Sequence, residues 1–69
     1  MTNQERVEYM LKRKEKKITL TEIAGEIGVS VAWLSLLESG LGNPSPEVAG
    51  AYMRYIDQTP SRRKIGRLD

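Results

Sequence analysis

Cysteine and histidine are both absent from the 69-residue chain. Without thiols there is no disulfide framework and no cysteine nucleophile, and without imidazole there is no zinc finger, no His-centred metal site and no histidine general base. A nucleophile at Ser30 or Ser35 would lack a base to activate it, so no catalysis is expected, and neither a metal nor a cofactor. Long apolar runs are missing too, none approaching the roughly 18 residues of a membrane span. Met1-Thr2-Asn3-Gln4-Glu5 holds no basic stretch leading into an apolar one, so no secretory leader is expected and the reading is of a cytoplasmic protein. What is present, 39% hydrophobic and 29% charged residues, is the composition of one small soluble domain.

An excess of either charge is also lacking. Eleven basic against nine acidic side chains leave a net charge of +2, so a pI near 9.2 describes a nearly neutral chain. Residues 1–17 carry Arg6, Lys12, Arg13, Lys14, Lys16 and Lys17 against Glu5, Glu8 and Glu15, a balance of +3. Residues 62–69 carry Arg62, Arg63, Lys64 and Arg67 against Asp69, again +3. The middle, 18–61, holds Glu22, Glu26, Glu38, Glu47 and Asp57 against Arg54 alone, which is −4. Attraction for a polyanion therefore resides at the end of the first helix and in the tail. For the first cluster the alternative is a basic helix end that complements the helix dipole and solubilises the chain.

The spacing of Val7, Met10 and Leu11 predicts a helix over 3–16, capped by Asn3 or Thr2. Thr19 followed three residues later by Glu22 has capping-box spacing; Ile23, Ala24 and Ile27 then form an apolar face that Gly28 ends. Ser30 can cap a third helix from Val31 to Ser39, closed by Gly40. Two short helices joined by a few residues around Gly28-Val29-Ser30 are the sequence form of a helix-turn-helix. Leu41-Gly42-Asn43-Pro44 reads as a loop. Ser45-Pro46-Glu47 starts a fourth helix that runs to Ile56 or Asp57, before Thr59-Pro60. The expected fold is all-α, a compact bundle of four short helices with room for a fifth. Residues 1–58 form the domain and 59–69 a basic tail in which Ile65 and Leu68 could dock as a turn.

The fourth helix carries two apolar stripes, Val48, Ala51, Tyr52 and Tyr55 beside Ala49, Met53 and Ile56. One suffices for the monomer core. The second, Ala49, Met53 and Ile56, is expected to meet a twofold copy, unless the tail covers it.

The run from Leu20 to Gly40, LTEIAGEIGVSVAWLSLLESG, followed by Asn43-Pro44-Ser45, resembles the lambda-repressor-like (Cro/Xre-type) helix-turn-helix family over residues 6–57. The resemblance implies double-stranded DNA as partner, a homodimer on two half-sites, and a bacterial or phage transcriptional regulator, a repressor in the leading reading. It implies a structural ion pair between Arg13 and Glu38. It also implies base-facing positions at Val31, Ala32, Ser35 and Leu36, with Ser30 and Trp33 beside the backbone. Phosphate contacts are implied at Thr19, Leu20, Thr21 and Asn43, and Arg62, Arg63, Lys64 and Arg67 in the tail would join them.

Two departures stand out. The recognition helix offers no Arg, Gln or Asn, so direct readout is left to two hydroxyls and to apolar contact with thymine methyls, with DNA shape supplying the remainder. Lys17 occupies a position where related sequences often have Gly, so the first helix is expected to end differently. Trp33 either lies over a neighbouring helix or the DNA backbone, or anchors a protein; Leu36 fits either partner. The rival reading is therefore a protein-binding helix-turn-helix module, an antirepressor, adaptor or antitoxin-like chain that uses its apolar third helix.

Overall fold

Each helix of this protein begins on a hydroxyl. In the computed structural model, which describes residues 1–61, the helices are α1 (Asn3–Glu15), α2 (Leu20–Ile27), α3 (Val31–Ser39) and α4 (Pro46–Gln58). The side chains of Thr2, Thr19, Ser30 and Ser45 accept from the amides of Glu5, Glu22, Trp33 and Val48 at 3.0, 3.1, 3.0 and 3.2 Å. At α1 the bond is reciprocated, Thr2 N donating to Glu5 Oε1 at 3.0 Å, a capping box. At α2 the Glu22 carboxylate instead accepts from the Tyr55 hydroxyl of α4. No single helix among the described residues is long and apolar enough to cross a membrane. The tail positions Arg62, Arg63, Lys64, Ile65, Arg67 and Leu68 lie outside the described residues.

The helices stop on left-handed residues. Gly28 (φ +79) and Gly40 (φ +83) close α2 and α3. Lys17 does the same after α1 with φ +63. Its amide donates to Lys14 O and the Ile18 amide to Arg13 O, both at 3.1 Å, so the glycine-type ending is made by a lysine and the expectation of a different ending is corrected. A side chain in that conformation costs about 1 kcal/mol. Burial of Ile18, the next residue, offsets it.

The core is made by α2, α3, α4 and Ile18: Ile23, Ala24, Leu34, Leu37, Ala49, Tyr52 and Ile56 are buried with it. This corrects the place of two residues of the expected twofold surface on α4. Ala49 and Ile56 face the interior because α4 packs against both α1 and α2 and needs a face wide enough for two neighbours; Met53 is half-buried against the same core. The inward side of α1 is likewise not its apolar stripe. Val7 and Leu11 are 39% and 57% exposed, and the buried residue of α1 is Arg13. The helix docks through polar ends: Tyr9 Oη donates to Asp57 Oδ2 at 2.7 Å, Lys12 Nζ to Asp57 Oδ1 at 2.9 Å and Lys16 Nζ to Ile56 O at 2.7 Å.

The Arg13–Glu38 pair is present and buried. Arg13 Nε and Nη2 donate to Glu38 Oε2 and Oε1 at 2.5 and 3.0 Å, Arg13 Nη1 to Ile18 O at 2.7 Å, and Tyr52 Oη to Glu38 Oε2 at 2.6 Å. Removing one partner of such a pair costs about 3–5 kcal/mol, which is the whole supply of a core this size. Glu38→Ala is therefore expected to leave the chain largely unfolded at 25 °C, read by far-ultraviolet circular dichroism; a native spectrum with an unchanged urea midpoint would refute the assignment.

Burial, and then the bond to Glu38, push the Tyr52 hydroxyl far above its ordinary value of 10.0. The unfolded chain ionises this tyrosine first, so its contribution is full below pH 10 and declines as pH rises past it. In urea titrations between pH 8 and 11, Tyr52→Phe should flatten the alkaline loss of stability; an equally steep loss would assign it to other groups.

Candidate nucleic-acid interface

The α2 and α3 axes are bent by 114° across Gly28-Val29-Ser30, the angle of a helix-turn-helix. Gly28 makes the corner: its amide and that of Val29 both donate to Ala24 O, at 2.9 and 3.2 Å. Leu34, Leu37 and Glu38 of α3 point inward. The opposite side presents Val31, Ala32, Ser35 and Leu36 together, all exposed, so the four expected base-facing side chains share one outer surface. That surface is apolar apart from the Ser35 hydroxyl and, at its edge, the Ser30 hydroxyl, which accepts from the Trp33 amide as the cap of α3 and keeps its O–H to donate.

Around this surface the expected backbone contacts divide. Thr19 and Thr21 are exposed at the start of α2 and Asn43 in the loop after α3. Leu20 is half-buried and packs on the core, so its side chain is withdrawn from any phosphate and only its amide can serve there. The Leu20 and Thr21 amides stand at the positions of a helix start that have no partner within the helix and suit an anion. Trp33 is half-buried, with its ring over the α3–α4 loop: a Cβ on Gly42 would sit 3.1 Å from Trp33 Cζ3 and 3.3 Å from Leu36. Within the chain the ring lies over this loop, in place of the neighbouring helix expected from the sequence. Leu41, 80% exposed beside Gly42, was not anticipated; its one signal is a leucine set between two glycines.

Four of the six cations of residues 1–17 are occupied internally: Arg6 on Glu38 O, Lys12 on Asp57, Arg13 on Glu38 and Lys16 on Ile56 O. Lys14 and Lys17 remain exposed, at the corner that leads into α2. Both hydrogen bonds onto Asp57, from Lys12 and then Tyr9, hold its carboxyl below the ordinary 3.8. Among the described residues there is no pocket and no cluster of acidic side chains able to hold a metal ion.

An inward-facing core, a left-handed corner and an outward helix flanked by helix starts define a DNA-binding helix-turn-helix domain. A model of the helix-turn-helix family, Cro/C1 type, matches residues 10–62, and the chain belongs to that lambda-repressor-like family. No curated protein and no solved structure matches the chain.

Trp33 is the single tryptophan and reports on this surface. Gly42→Ala forces a methyl group against its ring and the Leu36 backbone, and overpacking of this kind costs about 1–3 kcal/mol. Its emission maximum should shift in the folded variant; an unmoved maximum would show that the ring does not rest on Gly42.

Proposed function

We propose that the chain is a sequence-specific DNA-binding transcriptional regulator of bacterial or phage type, working in the cytoplasm as a repressor by occupying its operator. The observation that carries this reading is the shared outer surface of Val31, Ala32, Ser35 and Leu36 on the second helix of a 114° pair. In the proposed complex α3 lies in the major groove, Thr19, Thr21 and Asn43 meet phosphates, and Arg62, Arg63, Lys64 and Arg67 of the 59–69 tail contact phosphates or an adjacent groove. Readout is by methyl contact and DNA shape, because the hydroxyls of Ser30 and Ser35 cannot replace a bidentate Arg or Gln.

A homodimer on half-sites about 34–36 Å apart belongs to the same proposal. A single α3 offers few base contacts, and a twofold copy doubles them. With Ala49 and Ile56 inside the monomer, Met53 is the one of the three expected α4 residues left to take part. Met53→Glu should dissociate the dimer in sedimentation experiments, and an unaltered dimer would remove α4 from the interface.

A second reading, a protein partner gripped by α3, is favoured by Leu36 and Leu41, 42% and 80% exposed and apolar. Selection from a random DNA pool across a salt series separates the two. An enriched sequence supports an operator, while no binding at low salt ends the DNA reading and leaves the protein partner. Deleting residues 62–69 should lower the salt slope by about 0.9 for each phosphate that the tail neutralises; an unchanged slope would exclude the tail.

A further inference from the structure

We infer that Arg6 is a positioning residue for the recognition helix, fixing the C-terminal end of α3 and the turn beyond it against α1; as a role in binding, this rests on the DNA reading given above. Arg6 lies outside the residues matched by the family. Its Nη1 donates to Glu38 O at 2.6 Å, a carbonyl in the last turn of α3. Its guanidinium also covers Gly40, so closely that a Cβ there would sit 3.1 Å from Arg6 Cζ and Nε. Nε is buried with no hydrogen-bond partner among the described residues, a cost that calls for a reason.

The reason is the chemistry of a helix end. Unpaired carbonyls and the negative end of the dipole collect at the C-terminus, where a cation is favourable. The last turn of α3 has no basic residue of its own. Arg6 supplies that cation from another helix, and Gly40, having no side chain, lets it approach. Arg13 holds the Glu38 side chain while Arg6 holds its backbone, so the last turn of α3 is pinned at two points.

From Gly40 the connection runs on to the reading surface. The Leu41 and Gly42 amides donate to Leu36 O at 3.1 and 3.0 Å, and Trp33 packs over Gly42. Leu36 is a base-facing position. Displacing the guanidinium releases the turn that frames Leu36 and Trp33, without touching any group that faces DNA.

The test uses the full chain, the DNA enriched by the unaltered protein as probe, and the variants Arg6→Met, which keeps bulk over Gly40 but loses the donor, and Arg6→Lys. Folded Arg6→Met should bind about tenfold more weakly, the scale of one missing charge-assisted hydrogen bond, with an unchanged salt slope and a shifted Trp33 emission. Arg6→Lys, which keeps a donor for Glu38 O, should recover most of the affinity. Native affinity in Arg6→Met overturns the inference, as does a slope lower by about 0.9, which would make Arg6 a phosphate contact. If Arg6→Met does not fold, Gly40→Ala presses on the same guanidinium. Weaker binding at unchanged slope with a Trp33 shift then supports the inference, and native binding overturns it. Should the unaltered protein bind no DNA, the DNA reading fails by itself; the Trp33 emission of free Arg6→Met still decides whether Arg6 holds the turn.

Discussion

One carboxylate organises this protein. Glu38 accepts from Arg13 of α1 and Tyr52 of α4, and Arg13 in turn reaches Ile18 O, the residue leading to α2. Three helices and one corner therefore meet at a single buried charge. A buried ion pair contributes little net stability when compared with apolar residues of the same shape, but it tolerates no missing partner and no slipped register. The pair thereby selects one arrangement of α3 on α1 from the many that a small apolar core would accept.

The local punctuation was legible in the sequence because its chemistry is local. Ser30 and Ser45 cap α3 and α4, and Gly28 and Gly40 end α2 and α3, at the expected residues. Lys17 shows the limit of that logic. Its left-handed conformation contradicts residue preference, and the compensation comes from Ile18 and the Arg13 contact, which are tertiary. The inner faces of α1 and α4 were less legible. Apolar periodicity assigns Ala49 and Ile56 outward, and that assignment fails; on α1 the exposed Val7 and Leu11 show that apolar spacing does not mark its inner face. On α1 the interior partners are a carboxylate and helix-end carbonyls, which call for arginine, lysine and tyrosine. On α4 two neighbours make the buried face wider than one stripe.

For the interface, composition identified which residue types are missing from α3, and geometry added where the cations are spent. Most basic groups of α1 hold helix ends inside the monomer, so their count overstates the charge offered to a polyanion. Leu20 is comparable: the family resemblance implies a phosphate contact at its position, while its side chain packs on the core. Sequence position gives the place of a contact, and side-chain chemistry decides whether it is made.

The polar docking of α1 has a consequence for motion. Helices α2, α3 and α4 share the apolar core, whereas α1 is joined to them mainly by charged and hydroxyl groups. The two kinds of attachment respond to different agents: ionic strength and pH act on the exposed bonds of α1, and loss of apolar burial acts on the remainder. The molecule is thus built as an apolar three-helix unit to which α1 is fastened electrostatically, and because Arg13 belongs to that fastening, α1 cannot detach without leaving the Glu38 carboxylate unpaired among the other helices.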